Sequence, residues 1–366
     1  MLLQEGKELQ QGKYKIIRVL GQGGFGITYL ALHTMLDKYV AIKEFFPADF
    51  CERDYMYNLT IGTQSNVLLI SKLKERFLKE ARNTARLNHP SIIKIYDVFE
   101  ENNTAYYVME YLEGENLNDI VQQHGPFAES RAIEFIAKVG EALEHVHSRN
   151  MTHFDVKPAN IIIKYEDSSP VLIDFGLSKQ FDSHGDATSV LIPGISYGYS
   201  PIEMYSIGDN VTFSPQVDIY SLAATLYYLL EGQAPPQATD LIHTQIQFPY
   251  PVRNRIANEI LKGMSLDKNH RHKNIQQFVT ELVRLNNDGK TAVVKQDVTE
   301  LVERYEEPVD RVASKPTKVY YDSEIDELTQ QDSTVKETQN NQNLIKVFEW
   351  LRQFYYYFAL YFRYFF

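Results

Sequence analysis

Cysteine is nearly absent from this sequence. Cys51 is the only cysteine among 366 residues. One thiol cannot form an intrachain disulfide or supply a four-cysteine zinc site, so both kinds of scaffold are excluded. Basic residues are scarce too, because 37 lysines and arginines stand against 48 aspartates and glutamates, a net charge of −11. A general nucleic-acid binder needs a net basic surface, so we expect no nucleic-acid partner; only a locally basic groove would escape this argument.

The sequence also shows neither the pattern of a signal peptide nor that of a repeat protein. The opening residues MLLQEGKELQ contain acidic and polar side chains and no apolar run of signal-peptide length. We therefore expect no cleaved export signal and place the bulk of the chain in the cytoplasm. No period of solenoid length is visible, so a repeat architecture is set aside.

The composition divides the chain into three parts. Residues 13–285 have strand-like runs early, such as YKIIRVL, and longer helix-like stretches later. This order predicts an α+β fold of two lobes, with a β-rich N-lobe at about 13–110 and a larger helical C-lobe at about 111–285. Residues 286–343 are acidic and poor in large apolar side chains, which predicts a mostly disordered linker. The alternative there is a short helix around 298–305 that docks on the globular part.

The C-terminal tail, residues 344–366, is rich in aromatic side chains. Twelve of its 23 residues are aromatic, and the uncharged run from Phe354 to Phe362 is shorter than the ~20 residues of a membrane-spanning helix. Trp350 and the nearby Lys346, Arg352 and Arg363 suit a helix lying at the membrane surface, which would place the protein at the inner face of the membrane. A helix packed on the globular domain and an altered chain end are the alternatives.

A glycine-rich motif follows the first predicted strand. Its glycines are Gly21, Gly23, Gly24 and Gly26, and the chain continues as a second strand. A dinucleotide-binding fold would need a helix to begin there, so we predict a hairpin lid whose backbone N–H groups approach phosphate oxygens. A simple glycine-rich hairpin turn is the alternative.

Two further stretches carry charged side chains in apolar surroundings. Lys43 lies in the apolar run VAIK, where a buried ammonium needs an anionic partner, and Glu80 in a helix-like stretch is the candidate. Further along stand HFDVKPAN, residues 153–160, an apolar strand, and Asp174 in the sequence DFG. This spacing predicts that the metal-binding side chains Asn160 and Asp174 come together.

In this order the motifs resemble those of the eukaryotic-type, or Hanks-type, serine/threonine protein kinases. The resemblance covers residues 13–285 and implies the bilobal kinase fold, an enzyme that uses ATP and Mg²⁺, and a protein substrate with a serine or threonine acceptor. The segment KEFFPADFCERD is similar to an insert of bacterial members, so we expect a bacterial signalling kinase.

The resemblance also implies roles for single residues. The four glycines would cover the ATP phosphates, Lys43 would bind the α- and β-phosphates, and Glu80 would position Lys43. Asp155 would orient the acceptor hydroxyl and accept its proton, Lys157 would neutralise charge on the moving phosphoryl group, and Asn160 and Asp174 would bind Mg²⁺. The adenine would lie among side chains and hinge backbone groups of Thr28, Ala41, Met109, Glu110, Leu112 and Ile162.

Several structural roles are implied as well. Ser196 would bridge Asp155 and Lys157, Arg271 would pair with Glu203 in the sequence SPIE, and Asp218 would brace the catalytic loop. Ser196 and Lys157 are also typical of serine/threonine rather than tyrosine kinases.

The sequence departs from the kinase pattern at two places. Phe154 replaces the arginine of the H-R-D motif, so phosphate-dependent ordering of the activation segment is not expected, although Thr188 and Ser189 are candidate autophosphorylation sites. Lys43 and Glu80 are also far apart in sequence, because an insert of about 22 residues, FFPADFCERDYMYNLTIGTQSN, separates them. We expect a surface insert in which Cys51 is packed rather than exposed.

A catalytically inactive pseudokinase scaffold that binds nucleotide and partners is the alternative function. Retention of Lys43, Asp155, Asn160 and Asp174 together argues against it.

Overall fold

An antiparallel sheet of six strands forms the first lobe of this computed structural model. The structure describes residues 2–62, 66–175, 179–180, 195–205 and 214–290. The strands lie in the spatial order β1-β2-β3-β4-β8-β7. They span β1 Glu8–Leu9, β2 Tyr14–Gly23, β3 Gly26–His33, β4 Lys38–Phe45, β7 Ile95–Glu101 and β8 Thr104–Glu110. The central strands β3, β4 and β8 consist mainly of buried β-branched, aromatic and small apolar residues, as strands covered on both faces require.

The insert predicted from the sequence forms a small hairpin beside this sheet. Its strands are β5 Cys51–Arg53 and β6 Leu59–Ile61. Cys51 is buried, as predicted, and so is Arg53. The insert is therefore only partly a surface feature, because these two side chains belong to the interior of the lobe.

Helix α1, Val67–Thr84, packs against the sheet and carries Glu80. Its buried face repeats at helical spacing through Ile70, Phe77 and Ala81. The Phe77 ring lies 4.9 Å from the ring of Tyr107 on β8 and 5.7 Å from that of Phe45 on β4. These aromatic contacts fix the helix on the face of the sheet that carries Lys43.

Five further α-helices of the described chain build the second lobe. They are α2 Leu117–His124, α3 Glu129–His147, α4 Gln216–Glu231, α5 Asn254–Gly263 and α6 Ile275–Lys290. Helix α4 is buried on all sides, as expected for a helix at the centre of a bundle. Gly140 on α3 allows close packing, since a Cβ there would lie 2.2 Å from Cγ2 of Val279 on α6.

Short strands beside the helices flank the loop that carries the predicted catalytic residues. β11 Ile161–Lys164 pairs with both β9 Gly114–Asn116 and β12 Pro170–Leu172, and β10 Met151–Thr152 pairs with β13 Lys179–Gln180. The loop between β10 and β11 holds residues 153–160.

The predicted α+β bilobal architecture is confirmed. The structured region is longer than the pattern indicated, because β1 precedes residue 13 and α6 continues to Lys290. In the part of the chain that the structure describes, no helix is long and apolar enough to span a bilayer. The candidate phosphorylation sites Thr188 and Ser189, the acidic linker after Lys290 and the tail at 344–366 lie outside the described residues.

Candidate active site

Three residues of the loop between β10 and β11, together with Ser196, form one hydrogen-bonded group. Ser196 Oγ donates to Asp155 Oδ1 at 2.6 Å, and Asn160 Nδ2 donates to Asp155 Oδ2 at 2.8 Å. Lys157 Nζ lies 3.4 Å from Asp155 Oδ2 and donates to Ser196 Oγ at 3.1 Å. Ser196 thus bridges Asp155 and Lys157 as predicted, and the Asp155 carboxylate is held at both oxygens.

Lys43 on β4 has a partner other than the one expected. Its Nζ lies 2.7 Å from Asp174 Oδ1, and both side chains are mostly buried. Burial alone would lower the pKa of Lys43, but the Asp174 carboxylate outweighs it and holds that pKa well above its ordinary value. Burial would likewise raise the pKa of Asp174, but Lys43 lowers it below the usual range. Both groups therefore stay charged near neutral pH.

The predicted ion pair between Lys43 and Glu80 is absent among the described contacts. Glu80 is near enough to influence Lys43 electrostatically, yet Asp174 takes the ammonium. Glu80 is buried as well, at 8% exposure, and without a direct cation contact among the described residues its burial raises its pKa to about 7.

The hydrogen-bonded group around Asp155 and the Lys43–Asp174 ion pair lie against each other. Ile173, which precedes Asp174, donates its backbone N–H to the Asn160 carbonyl oxygen at 2.9 Å. Lys157 also acts electrostatically on Asp174 and helps to lower its pKa. Lys43, Asp155, Asn160 and Asp174 therefore converge on one place between the lobes.

The glycine-rich motif is the tip of the hairpin between β2 and β3, as predicted. Gly23 pairs with Gly26, and Phe25 at the tip is 60% exposed. A Cβ at Gly26 would lie 2.7 Å from the Glu44 carbonyl oxygen on the adjacent strand, whereas Gly24 has no neighbour within 4 Å. Gly26 is thus required by close backbone approach, and the open side of Gly24 is available to a ligand.

Four of the residues implied for adenine, Thr28, Ala41, Met109 and Glu110, belong to the six-stranded sheet, whereas Leu112 follows β8 and Ile162 lies on β11. Ala41 on β4 pairs with Met109 on β8 and with Leu30 on β3, and Thr28 pairs with Lys43. The buried members of the set are Thr28, Ala41, Met109, Leu112 and Ile162, and Glu110 is half-buried at the end of β8. Their roles in adenine binding remain predictions.

A buried aspartate braces the catalytic loop. Asp218 on α4 accepts the backbone N–H groups of His153 and Phe154, each at 2.9 Å. The Nε2 atom of His147 on α3 lies 2.8 Å from the same carboxylate, a contact that the sequence analysis missed. His147 and Asp218 are 71 positions apart, so no local pattern joined them. Burial would raise the pKa of Asp218, but these donors hold it below its usual range.

Phe154, which stands where the H-R-D motif has an arginine, makes apolar contacts. It is 1% exposed and packs with Met204 and Val217, which lie on either side of residues 206–213. Nearby, Arg271 pairs with Glu203 through two contacts of 2.6 and 2.9 Å, as predicted. An apolar cluster and a buried ion pair therefore fix this end of the activation segment.

The donor atoms at the site fit a hard divalent cation. Asn160 uses its amide nitrogen for Asp155, which leaves its side-chain oxygen for another ligand. Asp174 supplies a carboxylate with a lowered pKa. Oxygen donors of this kind suit Mg²⁺. The described residues contain no cluster of three or more histidine, cysteine or acidic side chains that could hold a metal by themselves, so most of the other ligands would be nucleotide oxygens and water.

Known proteins are similar to this chain in sequence. The protein kinase domain model matches residues 14–296. Serine/threonine-protein kinase PrkC of Bacillus subtilis is 30% identical over 288 residues, which is 76% of this chain and 41% of that protein. Serine/threonine-protein kinase PknB of Mycobacterium tuberculosis is 32% identical over 292 residues, 75% of this chain and 43% of that protein. The chain thus spans about two fifths of the length of these relatives.

A solved structure gives the same answer for the fold. The structure titled "PpkA-294 apo form" superimposes with a TM-score of 0.66 at 26% identity, over 77% of this chain and 99% of that one. The ordered motifs, the bilobal fold and the converging site agree with these matches. The chain belongs to the protein kinase family, alongside bacterial serine/threonine kinases of the Hanks type.

Proposed function

We propose that this chain is an active kinase that transfers the γ-phosphoryl group of ATP to a serine or threonine hydroxyl of a protein, with Mg²⁺. The observation that carries the proposal is the convergence of Lys43, Asp155, Asn160 and Asp174 in one site. A binding scaffold has no chemical need for all four. Phosphoryl transfer does, because its transition state is anionic and is stabilised mainly by positioned charges.

The geometry supports a defined role for Asp155. Its carboxylate is held by Ser196 and Asn160 and lies beside Lys157. An incoming alcohol would donate its proton to this carboxylate while the Lys157 ammonium balances negative charge on the moving phosphoryl group. Lys43 would bind phosphate oxygens of the nucleotide, and Asn160 and Asp174 would hold Mg²⁺. When bound, the metal would neutralise charge on the β- and γ-phosphates.

The test compares the purified chain with its Asp155→Asn variant. Both are incubated with labelled ATP, magnesium and a generic protein acceptor, and ATP affinity is measured separately. We expect transfer to fall by about two to three powers of ten with ATP affinity nearly unchanged, because only the base is removed. Binding of ATP without transfer by the wild-type chain would instead favour the pseudokinase scaffold.

The cellular setting follows as a further part of the proposal. The net charge of −11 argues against nucleic acid as a partner. We expect a cytoplasmic protein whose aromatic tail, residues 344–366, contacts the inner face of the membrane. Protein acceptors are supported by the family as a whole; the identity of the acceptor is open to measurement with a proteome-wide phosphorylation assay.

A further inference from the structure

A buried polar cluster lies on the sheet face opposite Lys43. Glu44 follows Lys43 on β4, and because side chains alternate along a strand, its carboxylate points to the other face. Glu44 is fully buried there, and Tyr29 and Tyr106 donate to its oxygens at 2.8 and 2.9 Å. Tyr29 belongs to β3 and Tyr106 to β8, so the cluster joins three neighbouring strands.

The insert supplies the cation of this cluster. Arg53 on β5 donates through Nη2 to both oxygens of Glu44, at 2.6 and 2.7 Å, and neither side chain is exposed. Its Nη1 donates to the Tyr57 carbonyl oxygen at 2.8 Å. The insert hairpin is therefore fastened to the strand that carries Lys43, one residue away from it.

Stability alone gives a poor reason for such a pair. Desolvation of two buried charges costs about as much as their attraction returns, and apolar replacement of both partners is often neutral or stabilising. A guanidinium held on a carboxylate fixes direction and register, which apolar contacts do not. The Arg53–Glu44 pair should therefore matter for the positions of the residues around it, and not for the stability of the fold.

The residues beside Glu44 touch the phosphate-binding loop. The Arg53 guanidinium lies 5.1 Å from the ring centroid of Phe46, and the Phe46 N–H donates to the Phe25 carbonyl oxygen at the loop tip at 2.9 Å. On the same stretch, the Glu44 carbonyl oxygen is the atom that a Cβ at Gly26 would meet. Residues 43–46 thus carry Lys43 and support the glycine-rich loop together.

We propose that Arg53 and Glu44 are positioning residues that set Lys43 and the glycine-rich loop in register for the phosphates of ATP. The inference rests on the proposed function for its ligand, but it concerns binding and not transfer. The proposal gives the insert a role in the site. Arg53 of the insert fixes β4 through Glu44, on the face of the sheet opposite the one that would contact the nucleotide.

The test measures affinity for ATP and for adenosine, which lacks the phosphates that Lys43 and the loop would contact. Two variants are used. Arg53→Lys keeps the charge but loses the second nitrogen, which Arg53 uses for the Tyr57 carbonyl oxygen. Glu44→Gln with Arg53→Met removes both charges and leaves one acceptor oxygen where Tyr29 and Tyr106 now use two. Lys43→Met is the reference for a lost phosphate contact, and Arg284→Met, in an exposed ion pair on α6, is the matched control.

We expect both variants to weaken ATP binding about fivefold or more, with adenosine affinity unchanged within about a factor of two, because the adenine site is undisturbed. The melting temperature of the double variant should stay near that of the wild type. Wild-type ATP affinity in both variants would overturn the proposal, as would an equal loss for adenosine. Binding is measured without turnover, so a wild-type chain that binds ATP and does not transfer would refute the proposed function alone.

Discussion

At the scale of single residues, Asp155 shows how a buried loop can hold a carboxylate at both of its oxygens. Both oxygens accept hydrogen bonds, from Ser196 and from Asn160, and the ammonium of Lys157 lies 3.4 Å away. These three contacts fix the direction of the carboxylate, which under the proposed function would face the acceptor hydroxyl.

Glu80 is a buried carboxyl group whose charge changes near neutral pH. Burial raises its pKa to about 7 from an ordinary value of 4.5. Between these two values the folded state keeps a proton that the unfolded state has lost, so Glu80 makes the free energy of unfolding fall as pH rises. Above pH 7 the full cost of the buried charge is present.

We therefore predict that Glu80→Gln is more stable than the wild type at pH 8, by about 1–3 kcal/mol, and that the difference shrinks as the pH falls towards 4.5. Phosphoryl transfer at pH 8 should fall under the proposed function, because the amide removes a negative charge that acts electrostatically on Lys43 without pairing with it. Thermal unfolding across this pH range and a transfer assay measure the two effects. Glu75→Gln, at an exposed position of the same helix, is the control and should change neither; a variant no more stable than the wild type at pH 8 would refute the assignment.

At the scale of elements, the hairpin between β2 and β3 separates two kinds of glycine. Gly26 is confined by the Glu44 carbonyl oxygen, 2.7 Å from where a Cβ would stand, while Gly24 has open space. Both belong to one sequence motif, and the pattern by itself could not tell them apart. The distinction comes from the register of β3 on β4.

This contrast predicts opposite results for two alanine substitutions. Gly26→Ala should lower the stability of the nucleotide-free protein by about 1–3 kcal/mol, because the methyl group pushes against a backbone atom of β4. Gly24→Ala should leave that stability unchanged and weaken ATP binding only. Urea unfolding without nucleotide, followed by ATP titration, measures both. Equal stabilities for the two variants would show that the hairpin relaxes away from β4.

The elements also show which parts of the fold were accessible to sequence reasoning. The strand-glycine-strand pattern predicted the β2–β3 hairpin because the periodicity and the glycines are local signals. The insert hairpin was only expected as a surface segment, since the burial of Arg53 depends on Glu44, Tyr29 and Tyr106 from three strands. Contacts between residues that are far apart in the sequence, such as His147 with Asp218, cannot be recognised from a local sequence pattern.

At the scale of the whole molecule, the motif order predicted the two lobes and the convergence of the site but not its ion pairing. Lys43, Glu80 and Asp174 were all identified, yet the sequence did not indicate that Lys43 pairs with Asp174. That pair forms because the folded lobes bring Lys43 and Asp174, 131 positions apart, to within 2.7 Å of each other. Phe154 packs in an apolar cluster with Met204 and Val217, a contact that the sequence did not predict.

The last prediction concerns the aromatic tail, residues 344–366, as the part that would bring the kinase to a membrane. Its aromatic side chains favour the interfacial region, and Lys346, Arg352 and Arg363 favour anionic lipid. The full chain should sediment with anionic vesicles, less with neutral ones, and less again at high salt, because salt screens the attraction of the cations. The chain lacking residues 344–366 should stay in the supernatant with unchanged thermal stability. If the deletion lowered the melting temperature and left sedimentation unaltered, the tail would be a packed part of the fold and not a membrane contact.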